Sequence, residues 1–132
     1  MAIGYVYVGT NDFENASRFY DALFELMGSQ RALTYGEKIM WGASWPPTQP
    51  LFGLTTPYDG EAATTGNGTM VALSVESRSL VQAVHAKALS LGGVDEGAPG
   101  LRGPEGPTAF YGAYFRDLDR NKICIFHIGG SA

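Results

Sequence analysis

Hydrophobic positions along the chain fall into two repeating rhythms. Between Ile3 and Gly9, Val6 and Val8 alternate with Tyr5 and Tyr7, the period-two pattern of a strand whose two faces meet different surroundings. Asn11 or Asp12 then opens a helix in which Phe13, Ala16, Phe19, Tyr20, Leu23 and Met27 recur every three or four residues, and Gly28 stops it. Three strands are expected next, at Gln30–Tyr35, Lys38–Ala43 and Leu51–Thr55, with a turn at Tyr35-Gly36-Glu37. Trp45-Pro46-Pro47 is excluded from the interior of a central strand, because proline donates no ladder hydrogen bond.

Pro57 to Gly68 is rich in Gly, Ala and Thr, lacks periodicity and reads as a linker, after which the rhythm restarts. Thr69 to Val75 predicts a strand. Ser77 or Ser79 caps a second helix lined by Leu80, Val84, Ala88 and Leu91, and Gly92-Gly93 ends it. A short strand is expected at Val94–Gly97 and a Gly/Pro loop at Ala98–Pro107. A hairpin from Tyr111 to His127 follows, its strands joined by Asp117-Leu118-Asp119-Arg120-Asn121.

An offset of 65 residues superposes Tyr5-Val6-Tyr7-Val8 on Met70-Val71-Ala72-Leu73, Phe19 on Val84, and Met27-Gly28 on Gly92-Gly93. The chain is therefore an internal duplication of strand, helix and three strands. The expected fold is α+β: two tandem βαβββ modules forming a curved mixed sheet around a cleft. Residues 1–132 make one domain, with module 1 at about 1–56, the linker at about 57–68 and module 2 at about 69–132. One helix per module leaves one sheet face uncovered, and a cleft between such faces is the expected place for a ligand.

Composition narrows the function. The 132 residues are 45% hydrophobic, enough to bury a core without staples. A net charge of −4, with no run of Lys or Arg, disfavours nucleic acid and anionic membranes as partners. One cysteine forms no intramolecular disulfide, and Met-Ala-Ile-Gly-Tyr lacks the features of a secretory signal, so the cytoplasm is the expected compartment.

Four stretches resemble the vicinal oxygen chelate superfamily, the fold of glyoxalases, bleomycin-resistance proteins and extradiol dioxygenases. They are Asn11-Asp12-Phe13-Glu14-Asn15-Ala16-Ser17-Arg18-Phe19-Tyr20, Gly68-Thr69-Met70-Val71-Ala72, Gly97-Ala98-Pro99-Gly100-Leu101-Arg102 and Arg116-Asp117-Leu118-Asp119-Arg120-Asn121-Lys122-Ile123. The last is similar to the family's Asp-Pro-Asp-Gly-Asn hairpin. The resemblance implies the fold but no single activity, since this fold hosts several chemistries. It also implies that three metal-ligand positions, His, His or Gln, and Glu in metal-using members, fall on Tyr5, Met70 and Cys124. A phenol, a thioether and a thiol are a mismatched set for a divalent ion, so no metal and no other cofactor is expected.

Other candidates have plainer readings. His85 flanks the stripe of the second helix and His127 follows the last strand, at no spacing that makes a metal pair. Asp117, Asp119 and Asn121 resemble the start of a calcium loop, but Lys122 stands where such a loop needs Gly. Cys124 has apolar neighbours and reads as a buried, inert thiol, with Lys122 on its strand face. The aromatic set Tyr5, Tyr7, Trp41, Phe52, Tyr111 and Tyr114 is a candidate pocket lining. The expected ligand-binding residues are Tyr5, Tyr7, Trp41, Met70 and Cys124, and no residue is assigned a catalytic role. Three functions are open: a metal-free binder of a small, partly apolar molecule, a metal-dependent lyase, isomerase or dioxygenase with non-standard ligands, and a non-catalytic dimeric scaffold. A homodimer is expected in each case, because uncovered faces and sheet edges invite pairing.

Overall fold

Both helices start where a short polar side chain takes a free amide of the first turn. The Asp12 carboxylate accepts from the amide of Asn15, and Ser77 Oγ accepts from Leu80. In the computed structural model, which describes residues 1–130, the elements in chain order are β1 (Tyr5–Gly9), α1 (Phe13–Leu26), β2 (Gln30–Thr34), β3 (Lys38–Gly42) and β4 (Leu51–Thr55). They continue with β5 (Val71–Ser74), α2 (Arg78–Ser90), β6 (Val94–Leu101), β7 (Phe110–Arg116) and β8 (Lys122–Ile128). The 65-residue offset carries Phe13, the first residue of α1, onto Arg78, the first of α2. Gly28 and Gly92 follow the two helices with φ of +75° and +104°, a conformation that a Cβ disfavours.

The strands form two four-stranded sheets of identical order, β1-β4-β3-β2 and β5-β8-β7-β6. In each sheet the first strand pairs in parallel with the fourth, and the other pairings are antiparallel. The chain divides into two compact units, Met1–Thr65 and a second beginning at Gly66. Residues 57–68 contain no helix or strand, yet the segment is tethered. The Asn11 side chain donates to Ala63 O (3.1 Å) and accepts from Ala63 N (2.7 Å), which ties it to the end of β1.

In the first unit the core lies between α1 and one face of its sheet: Phe19, Tyr20, Leu23 and Phe24 from the helix, and Val8, Ile39, Trp41, Phe52 and Leu54 from the strands. Tyr20 sits 4.8 Å from Phe52, and Phe24 stacks on Trp41 at 5.5 Å with 5° between planes. In the second unit Val81, Val84 and Ala88 of α2 and Ala113, Phe115, Ile123 and Ile125 of β7 and β8 are all buried completely. Burying each such side chain contributes about 1.5–3 kcal/mol for the larger ones, so these two interiors dominate stability. Strand β6 corrects an expectation. A strand ending at Gly97 followed by a loop is instead a strand to Leu101, its pairing with β7 broken at Asp95/Gly97 and Gly97/Gly100. Pro99 is accommodated because β6 is an edge strand.

The β7–β8 turn is built around Asp117, which is 3% exposed. Its carboxylate accepts from the amides of Asp119 (2.9 Å) and Asn121 (2.8 Å) and from Asn121 Nδ2 (2.9 Å), so the calcium-loop likeness is a hydrogen-bonded turn. Arg120 closes it at φ +70°, the one non-glycine residue at positive φ among the described residues. Asp117→Ala leaves those donors without their acceptor and is expected to lower the unfolding free energy by about 2–3 kcal/mol. Arg120→Gly relieves the left-handed strain and is expected to raise it by about 0.5–1 kcal/mol. Urea unfolding of both variants checks the pair, and a stability loss in Arg120→Gly contradicts the account.

Candidate functional site

Period two turns Tyr5 and Tyr7 of β1 away from α1, onto the sheet face that no helix covers. The parallel register sets Tyr7 opposite Gly53, and the ring lies across that glycine: a Cβ at Gly53 would stand 2.5 Å from Tyr7 Cδ1. Tyr5 and Tyr7 are 5.3 Å apart, Trp45 reaches Tyr5 at 6.2 Å, and Lys38 Nζ stands 5.1 Å from the Tyr7 ring centre. Tyr5, Tyr7 and Trp45 are 45%, 37% and 43% exposed, so three touching aromatic rings on one face meet solvent. Trp45, Lys38 and Gly53 were not among the residues expected from sequence. Trp45-Pro46-Pro47 was legible only as a loop, and Gly53 only as a strand residue.

Trp41 does not join this lining. The register aligns Trp41 with Phe52 and Phe52 with Val6, which places all three on the α1 side. Trp41 is 1% exposed, and its indole N–H donates to Asp21 Oδ1 at 2.9 Å. Phe52 is also core, and Tyr111 lies on the α2 side, where Gln82 donates to its hydroxyl at 2.8 Å. The aromatic set is therefore divided between the two faces of each sheet. Tyr5, Tyr7 and Tyr114 lie on the open faces, and Trp41, Phe52 and Tyr111 lie under the helices.

In the second unit the open face carries different chemistry. Ala72, Cys124, Tyr114 and Gly97 align in one row across β5, β8, β7 and β6. Cys124 is 1% exposed, and its burial pushes the thiol pKa up. The nearby Tyr114 hydroxyl and the charges of Arg102 and Lys122 act in the opposite direction without reversing it. Burial likewise raises the Tyr114 phenol. A protonated thiol with no adjacent base is a poor nucleophile. Met70 immediately precedes β5 and is 43% exposed.

Neither histidine is a free ligand. His85 Nε2 is 3.1 Å from Asp95 Oδ1, and His127 Nδ1 is 2.8 Å from the carbonyl of Val75. Among the described residues no three His, Cys, Asp or Glu side chains are grouped to hold a metal ion. The residues at the positions the resemblance implies are a phenol and a thioether, both largely exposed, and a buried thiol whose pKa is raised. Those donors do not fit a divalent cation, which asks for imidazole, carboxylate or thiolate.

Comparison with solved structures places this geometry in a known class, the glyoxalase fold. A glyoxalase/bleomycin resistance protein from Albidiferax ferrireducens T118 is 34% identical, with 96% of this chain and 98% of that one covered and a TM-score of 0.84. A glyoxalase/bleomycin resistance protein/dioxygenase family enzyme from Burkholderia phytofirmans PsJN aligns over 95% and 97% of the two chains at 20% identity and a TM-score of 0.70. A lactoylglutathione lyase from Agrobacterium tumefaciens aligns over 96% and 92% at 16% identity and 0.63. No protein-family model and no curated protein sequence matches the chain. The chain belongs to the glyoxalase/bleomycin resistance family of the vicinal oxygen chelate superfamily.

The Trp41 contact has a measurable consequence. Asp21 accepts two hydrogen bonds from Arg31 (2.9 and 2.7 Å) as well as that of Trp41. The Arg31 contact is the largest influence on the carboxyl and holds its pKa below the ordinary 3.8, against the opposing effect of burial. A depressed folded-state pKa contributes stability that is present above 3.8 and lost as pH falls through the folded value. Asp21→Asn keeps an acceptor for Trp41 but removes the titration. Its unfolding free energy is expected to fall less than that of wild type between about pH 5 and about pH 2.5. Parallel curves contradict the assignment.

Proposed function

We propose that the chain binds a small, partly apolar molecule on the open face of the first sheet, and that it does so without a metal ion. The observation that carries this reading is the exposed set in which Tyr5 touches both Trp45 and Tyr7, with Tyr7 lying over Gly53 and Lys38 at its border. Contiguous exposed apolar surface on a soluble protein marks a binding site of some kind. Tyrosine and tryptophan supply large, stiff contact area at low entropic cost, and their polar tips stay solvated when a ligand leaves. Family membership supports a small-molecule role in general, while the donor set at Tyr5, Met70 and Cys124 favours a binder over a metal-dependent lyase, isomerase or dioxygenase. Met70 and Cys124 belong to the second unit, Cys124 within the Ala72 row and Met70 just before β5, and are secondary candidates.

The test is a thermal-shift screen with aromatic and thiol-conjugated compounds, since a molecule that binds only the folded state raises Tm. A hit is expected to bind Tyr5→Ala and Tyr7→Ala more weakly by about 1–3 kcal/mol each, the scale of losing a large apolar contact. Trp41→Phe is expected to change stability without a matching loss of affinity. The shift is expected to survive exhaustive chelation. A shift unchanged in both tyrosine variants places the site elsewhere, and one abolished by chelation and restored by a divalent ion defeats the metal-free reading.

We further infer a homodimer. Each four-stranded sheet is open, ending at β1 and β2 in one unit and at β5 and β6 in the other, and unpaired edges are the usual place for a second copy to pair. Sedimentation equilibrium at micromolar concentration is expected to return twice the 14.1 kDa chain mass. The monomer mass at that concentration counts against the inference.

A further inference from the structure

The second unit carries a cluster of charges that the proposed ligand face does not use. Tyr114 sits at the centre of the Ala72, Cys124, Tyr114, Gly97 row, turned away from α2. The Arg102 guanidinium carbon is 5.4 Å from its ring centre and Lys122 Nζ is 5.6 Å from it. Neither cation forms an ion pair among the described residues. Arg116, on the same face by period two, is paired with Glu96. Asp95 is turned to the other face, where it meets His85. Counting Arg102, Lys122 and Arg116 against Glu96 leaves an excess of two positive charges, on a chain whose net charge is −4.

Arg102 is not a loose surface side chain. Its Nη1 donates to Gly100 O at 2.9 Å and its Nη2 to Ala98 O at 2.8 Å. A Cβ at Gly97 would meet Nη2 at 3.2 Å and Tyr114 Cδ1 at 2.9 Å, so this glycine leaves the room in which ring and guanidinium lie. One cation on a tyrosine is explained by the ring's own attraction. A second cation at the same ring adds repulsion, and the carboxylate that acts on Lys122, Glu96, is already shared with Arg116, so the positive charge of the cluster is offset only in part. A bound anion would offset it, and the Nε–H and outward Nη hydrogens of Arg102 remain free of the backbone contacts.

We propose that this cluster binds a small oxyanion of the carboxylate or phosphate class, held between Arg102 and Lys122 beside Tyr114. Arg102 supplies a planar fork of donors and Lys122 a point charge, a combination suited to oxygen anions and not to halides. The exposed methyl of Ala72 and the tyrosine ring border the site, so it admits a compact group carrying a modest apolar body.

The full chain, 15N-labelled, is titrated at low ionic strength with inorganic phosphate, with benzoate, and with chloride as the control anion. The Arg102 Nε–H resonance and the backbone amides of β6, β7 and β8 report binding. Phosphate or benzoate is expected to give saturating shifts confined to these residues, with chloride giving none. Saturation by phosphate assigns the phosphate class, and saturation by benzoate the carboxylate class. Lys122→Gln and Arg102→Gln are each expected to weaken binding by at least about tenfold, as loss of one charge-assisted contact does. Lys122→Gln removes a half-buried charge without touching the backbone contacts of Arg102, so its result stands even where Arg102→Gln perturbs the loop. Tyr5→Ala is expected to leave the anion affinity unchanged, which separates this site from the aromatic face of the first unit. Non-saturating shifts for both anions, or wild-type affinity in Lys122→Gln, overturn the proposal.

Discussion

One helix can cover only one face of a four-stranded sheet, and that constraint governs what each half of this protein is able to do. Strand side chains alternate between faces with period two, so covering one face sorts the residues of every strand into core and surface at once. In the first unit α1 takes Val8, Ile39, Trp41, Phe52 and Leu54. The opposite face carries Tyr5, Tyr7, Gly53 and Lys38 beside the buried Met40 and Leu51, and its exposed aromatic surface is the direct consequence. A one-residue slip in β1 would exchange the valines for the tyrosines and destroy core and candidate site together.

The duplication has kept the topology and changed the chemistry. Both units share strand order, capping and the position of the helix, and both lay a tyrosine across a glycine on the open face: Tyr7 on Gly53, Tyr114 on Gly97. The tyrosines come from different strands. At the positions of Tyr5 and Tyr7 the second copy has Met70 and Ala72, so the aromatic rings of its open face come from other strands, Phe110 and Phe126 stacked at 5.2 Å beside Tyr114, and its first strand offers a small side chain. Packing keeps both helix-covered faces apolar, aromatic-rich in the first unit and mostly aliphatic in the second, whereas an open face is free to diverge toward whatever it binds.

Much of this was legible in the residues. Capped apolar stripes identify both helices, and the turn around Asp117 follows from its Asp and Asn spacing, because these signals are local. The orientation of Tyr5 and Tyr7 also follows from alternation alone. The α1-side placement of Trp41 is not legible locally, because its face depends on the register of β3 against β4, a long-range property that no local pattern encodes. The end of β6 was missed because Gly97, Pro99 and Gly100 read as loop residues, while an irregular edge strand accommodates all three. Lys38 and Arg102 are not legible as site residues, since their cation-to-ring contacts reach side chains on other elements, Tyr7 of β1 and Tyr114 of β7.

The central claim is that each open face is organised by a tyrosine lying on a glycine, and the α-protons of Gly53 and Gly97 report that geometry directly. A proton held against the face of an aromatic ring is shifted upfield by the ring current, so both glycines should show strongly upfield α-proton resonances with nuclear Overhauser contacts to Tyr7 and Tyr114. Replacing Tyr7 by Leu should return Gly53 alone to an ordinary shift. Ordinary α-proton shifts at both glycines in the wild-type protein, with no contact to either ring, would contradict the account.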